Sequence, residues 1–327
     1  MKKHCFLFIL SIICSSAFSQ ETKNLTDHPG QLHFEYFAPV GDIQYKYSKE
    51  EDLKIKTKHE AIVKYIQSNK IFSNPIGIEI YVTGQLVDKF KTFSWLSSIP
   101  SEIYISIHPW YTDGVKIYNK CIGCGPSYFS MFINTPHYLY NGQASPAGPD
   151  IFDTDGSLIN LEPNLLLEKN GVRFYDNNTI VIGKPGVPLY IPITVRQYDN
   201  LLLKHLEKMM KEQPEEMMTH KFFYDKIKEE MTQFSDADLD KPAWQYAFGG
   251  SPEPMGEGVK HIVKINKDYF DLSKPRSNTQ LIVIVQSGMQ SDPDKLFTTD
   301  ESSPIQTTKM MEAMNSFNFE GLIKLLD

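Results

Sequence analysis

Arginine is scarce in this chain. Of 33 basic side chains only Arg173, Arg196 and Arg276 are arginine, and the rest are lysine. Where lysine is the default cation, an arginine marks places where a planar, bidentate donor is needed, so Arg196 and Arg276 are candidate polar-site residues. Cysteine is also sparse, at four. Long apolar runs are missing beyond the first residues. The longest is Leu281 to Val285, far too short to cross a bilayer, so the chain is not expected to span a membrane. Catalytic signatures are missing too: there is no Gly-x-Ser-x-Gly elbow and no His-Glu-x-x-His. Gly250 to Gly258 fits no phosphate-loop spacing, and its Glu253 and Glu257 would repel a phosphate. No catalytic residue, cofactor site or metal site is therefore assigned, and an enzyme is not the expected class.

What is present begins with an export signal. Lys2 and Lys3 precede an apolar run from Phe6 to Ile13, and Ala17-Phe18-Ser19 supplies small residues for a signal peptidase. Residues 1–19 are read as the signal, with cleavage before Gln20 and a periplasmic or extracellular destination. The rival is a lipoprotein anchored through Cys14, which the bulky Ile13 disfavours. Without Lys2 and Lys3, 31 basic residues face 40 acidic ones, a net charge of −9. That balance offers nothing to nucleic acid or to anionic lipid. The expected partner is an unidentified protein or small-molecule ligand, and no nucleic acid.

Local patterns predict an α+β fold of mainly antiparallel sheet. A central helical pair or kinked helix and short C-terminal helices complete it. Thr194 and Gln197 have capping-box spacing, and Ile193 and Tyr198 are placed for a hydrophobic staple. An apolar stripe of Val195, Tyr198, Leu202, Leu206 and Met209 follows, and after Pro214 a second runs from Met217 to Phe234. With no Gly or Asn near Lys211 to Gln213, a full reversal at Pro214 is the less favoured form. Residues 49–67 form a helix with His59 packed on its inner face. Alternation predicts strands at 31–37, 76–82 (ended by Gly84), 103–107, 115–118, 128–133, 259–265 and 281–285, and a hairpin over 172–182. The small residues and prolines of Asn141 to Asp150 suggest a soft boundary. It divides a β-rich region, 20–145, from an α+β region, 146–327, or else is a loop within one domain.

Asn74 to Gly77, Ile191 to Tyr198, Ile265 to Asp271, Gln280 to Ile282 and Phe319 to Leu326 together resemble a loose group of functionally uncharacterised exported bacterial proteins. The resemblance spans most of the mature chain and implies no activity and no site residues.

Cys121-Ile122-Gly123-Cys124 is the sharpest local motif, and after signal removal it holds the only thiols. A short structural disulfide is the leading reading for an exported protein. Free thiols, a zinc knuckle that lacks a second ligand pair, and a redox pair are the alternatives. Asp153-Thr154-Asp155-Gly156 with Glu162 resembles part of a calcium loop, but Ile151 cannot ligate at its first position, so an Asp-Gly turn is expected. Asp236, Asp238 and Asp240 are expected to cap or solvate a helical turn. The function predicted is non-catalytic binding or scaffolding. The rivals are thiol- or metal-dependent activity at Cys121 and Cys124, or a hydrolase with dispersed residues.

Overall fold

A computed structural model describes residues 23–37, 46–88, 93–119, 127–141, 150–245, 260–286 and 303–327. The expected export signal, Cys121 and Cys124, most of the Asn141 to Asp150 stretch and the stretch from Gly249 to Gly258 lie outside the described residues.

Eight strands form the main sheet. In chain order they are β1 (Leu32–Phe37), β2 (Ile78–Leu86), β3 (Ser101–Pro109), β4 (Ser127–Ile133), β7 (Leu165–Lys169), β8 (Val172–Tyr175), β9 (Thr179–Ile182) and β13 (Ile282–Val285). A second sheet holds β5 (Ile151–Phe152), β6 (Leu158–Leu161), β10 (Tyr190–Pro192) and β12 (Lys260–Ile265), with β11 (Trp244–Gln245) also on β12. The main sheet runs β7-β8-β9-β13-β4-β3-β2-β1, so it draws four strands from each side of residues 141–150. All its pairings are antiparallel except β1 with β2. That parallel pair needs a crossover, which α1 (Lys49–Ile66) provides. A Ser48–Glu51 capping box starts α1.

The period of two along each strand sorts its side chains into two layers. Ile80, Val82, Ile103, Ile105, Met131, Ile180, Ile282 and Ile284 point into one core, against Ile62, Val63 and Ile66 of α1. Met310, Met311 and Met314 of the C-terminal helix (Ile305–Ser316) complete that core with Phe319 and Leu322 of a closing 3-10 segment. On the reverse face Phe132, Tyr175, Val181 and Val283 pack against Leu158, Val263 and Ile265 of the second sheet. β13 is apolar on both faces because it is central and covered on both sides, as its sequence predicts. Among the described residues nothing from β1, β2 or β3 enters this second core, so the second sheet backs only part of the main one.

The helical stretch is a hairpin of α2 (Val195–Glu212) and α3 (Met217–Gln233). Thr194 and Gln197 close the expected capping box, and Ile193 and Tyr198 are both buried at the root. The chain reverses fully. Leu203 and Leu206 pack on Ile227, and Tyr224 donates to Glu207 at 2.9 Å. The turn uses no left-handed residue: Gln213 leaves the helix at φ −129° and Pro214 opens a short 3-10 turn. Proline's lost donor is harmless there, because the first N–H groups of a helical turn have no partner in any case. Met218 and Phe222 face outward from this arm, 84% and 65% exposed.

Two boundaries move. Gly84 does not end its strand, which continues to Leu86, and β3 extends through Pro109. Residues 115–118 supply only the short strand Ile117–Tyr118.

Candidate functional site

Where the second sheet does not reach, β1 to β4 present a polar and aromatic face. The registers align it in cross-strand rows. His33 is level with Tyr81, Tyr81 with Ser106, and Ser106 with Tyr128. One row along, Thr83 is level with Tyr104, and Tyr104 with Ser130. Tyr81 and Tyr128 are 38% and 58% exposed, so this is an open platform.

Its side chains hold one another in place. His33 stacks on Tyr81 with ring centroids 5.2 Å apart, and Tyr81 meets His108 edge-on at 5.1 Å. Tyr104 lies 5.6 Å from Tyr128. Glu79, nearly buried, takes hydrogen bonds from the Gln31 N–H at 2.9 Å and pairs with His33 Nε2 at 2.5 Å. Glu102 accepts from the Ser130 hydroxyl at 2.7 Å and from the Gln85 amide at 3.2 Å. Asn119 donates to the Tyr81 hydroxyl at 2.6 Å. Burial, then Tyr128 and Glu102, raise the Tyr104 hydroxyl above its ordinary value, so it stays a neutral donor.

The platform contains pieces of acid–base chemistry, but its serine is shielded. His33 with Glu79 has the geometry of an oriented imidazole, and His108 Nε2 is 3.1 Å from Ser106 Oγ. Ser106, however, is only 6% exposed and flanked across the strands by Tyr81 and Tyr128, so a substrate carbonyl cannot approach its hydroxyl.

Other concavities gather less. A cleft of about 310 Å³ runs beside Arg173, Tyr175 and Tyr190. Arg173 donates through Nε to Glu168 and through Nη2 to the carbonyls of Lys184 and Val187. A depression of about 460 Å³ lies between α1 and Asp327, where Lys58 and Asp327 already pair.

The two candidate arginines are elsewhere. Arg196 binds Asp236 and Asp240, both at 2.8 Å, and so clamps the start of α2 to the helical turn Asp236–Leu239. Arg276 donates to the carbonyls of Ser97 and Lys46, each at 3.1 Å, with Glu51 3.6 Å away. Neither lines the platform. Asp153 and Asp155 are taken by Lys264 and Lys267, and Glu162 by His261, with Gly156 at φ +80° making the expected turn. Burial works against the Asp155 carboxylate, but its bonds to Lys267 and Ser157 hold it down at about 2. Among the described residues no group of three or more His, Cys, Asp or Glu could hold a metal ion.

The sequence reading missed the platform residues His33, Glu79, Tyr81, Tyr104, His108 and Tyr128. A signal existed: four strands of 6, 9, 9 and 7 residues contain no Lys or Arg, in a chain rich in lysine. No family model, curated protein or solved structure matches the chain.

Proposed function

We propose that this is an exported binding protein without catalytic chemistry of its own, with the open face of β1 to β4 as its ligand surface. One observation carries the reading: aromatic and histidine rings stand exposed on rigid strands and are already fixed by each other, by Glu79 on His33 and by Asn119 on Tyr81. Rings held this way lose little freedom on binding, and tyrosine supplies wide contact area together with a polar tip. The shielded Ser106 hydroxyl favours binding over hydrolysis. Export is supported by the signal-like first 19 residues.

Hydrogen-exchange mass spectrometry on the mature protein, titrated with polysaccharide, peptide and vesicle panels, tests the surface. Protection confined to residues 31–37, 78–86, 101–109 and 127–133 is expected, with the ligand recovered unchanged. Protection confined to the α2–α3 arm, or turnover of the ligand, defeats the proposal. For export, intact mass after expression with the leader should show a chain starting at Gln20. Retention of residues 1–19 in the cytoplasm overturns it.

A further inference from the structure

The platform's charge and spacing narrow its ligand class, an inference that rests on the binding-surface reading above. Its ionisable groups are Glu35, Glu79, Glu102 and the imidazoles of His33 and His108, with no lysine or arginine on any of the four strands. A phosphate, a uronate or a nucleic acid would meet carboxylates and find no fixed cation there. A cationic ligand would need carboxylates with spare acceptor capacity and rings that enclose it. Here Glu79 is engaged by His33 and the Gln31 N–H and Glu102 by Ser130 and Gln85, while the exposed Glu35 lies on the edge strand β1, on an open sheet where no rings enclose a cation.

A neutral, polyhydroxylated ligand fits what remains. Tyr81 and Tyr128 lie in one cross-strand row with Ser106 between them. Two strand spacings put them roughly 9.6 Å apart, close to the length of a disaccharide in an extended chain. The small, buried Ser106 leaves the row low between two exposed rings. Pyranose rings are amphipathic in the same sense as this surface: C–H groups on their faces and hydroxyls at their edges. Sugar faces would rest on Tyr128 and on the side of Tyr81 that His33 leaves open, while edge hydroxyls meet the Tyr104 hydroxyl and Thr83 in the adjoining row. We infer that the β1 to β4 platform binds a neutral, extended oligosaccharide laid across the strands, with sugar rings on Tyr81 and Tyr128.

Affinity electrophoresis of the full mature chain through gels containing neutral β-glucan, xylan or α-glucan tests this, with polygalacturonate and oligolysine as charged arms. At least one neutral polysaccharide should retard the protein. Tyr81→Ala and Tyr128→Ala should each weaken that retardation roughly tenfold, a loss on the scale of one well-placed aromatic contact. Tyr128→Phe, which keeps the ring, should retain it, and Phe222→Ala on the helical arm should leave it unchanged. Tyr128 is 58% exposed, so its variants should melt like the parent and report on binding. Retardation by no neutral polysaccharide overturns the inference. Binding of oligolysine that the tyrosine variants abolish keeps the surface and removes the saccharide. Polysaccharide binding that neither variant alters overturns the surface itself.

Discussion

The imidazole of His59 rests on the bare α-carbon of Gly84, where an added Cβ would come within 2.6 Å of Nδ1 and 3.0 Å of the Tyr36 ring. His59 is fully buried, bonded through Nε2 to the Ser101 hydroxyl at 2.9 Å, and it joins α1 to the sheet at this point. The glycine is there for close approach, and the strand runs straight through it. Gly84→Ala should cost roughly 1–3 kcal/mol in a denaturant melt. Combined with His59→Ala, its cost should be clearly less than additive, because the obstructing ring is gone. Strict additivity would show that the two residues do not compete for the same space.

Two buried groups should tilt the pH dependence of stability in opposite directions. Burial lowers His59 to about 3, so an unfolded chain takes up its proton first and stability is lost as pH falls from about 6.5 toward 3. Asp199 on α2 is 5% exposed with Oδ1 lacking a partner, and burial, then Glu230 on α3, raises it to about 7. Its folded form keeps a proton that the unfolded chain releases, so stability falls as pH rises from about 4 to 7. The other elements against α2 bring no relief: β5 contributes Ile151 and Phe152, while Asp236 is held by Arg196 and Asp238 by Lys241. The two slopes oppose each other between about pH 4 and 6.5. Asp199→Asn should therefore leave a profile that rises with pH across this window, and gain up to about 4 kcal/mol at pH 8. An unchanged profile in melts from pH 4 to 8 would show that Asp199 titrates normally.

The Thr194 cap should be worth on the order of 1 kcal/mol. Its hydroxyl accepts from the Gln197 N–H at 3.2 Å, while Gln197 Oε1 accepts from the Thr194 N–H at 3.0 Å. Thr194→Ala should lower stability by about that amount and Thr194→Ser by little. Equal melts for the alanine variant and the parent would remove the capping contribution.

If the chain is exported as proposed, Cys121 and Cys124 should form a disulfide. The ring it closes is very small, so Cys121→Ser with Cys124→Ser should lower stability only slightly. Intact mass with and without reduction and alkylation reads the pair directly. Two cysteines alkylated without reduction, or stoichiometric zinc, would displace this assignment.

Local structure was largely legible, because its causes are local. The Thr194 and Gln197 box, the buried face around His59 and the hairpin at Asn178 (φ 62°) each follow from residues a few positions apart. The scarcity of arginine carried information too, since Arg173, Arg196 and Arg276 all brace separate segments through carboxylates or carbonyls. What distance along the chain decides was not legible. Gly84 reads as a strand breaker until His59, 25 positions earlier, is known to lie on it. The platform escaped notice because Tyr81, Tyr104 and Tyr128 become neighbours only through strand registers. At Pro214 the local rule against reversal lost to burial of Leu203, Leu206 and Ile227 between the two helices.

Strand β13 has a consequence for how the chain is made. Its residues, Ile282 to Val285, fill the gap between β9 and β4, two strands that end about 100 and 150 positions earlier. Until that late segment arrives, β4 presents Tyr128 to Ile133 as an unpaired apolar edge, the kind of surface that recruits strands from other chains. Pairing across such separations is slow, because loop closure must precede the contacts that reward it. A chain emerging from a ribosome at about 5–20 residues per second would hold that edge open for many seconds. The order of the strands thus lengthens the interval before the main sheet can close, and with it the time in which another chain could pair in place of β13.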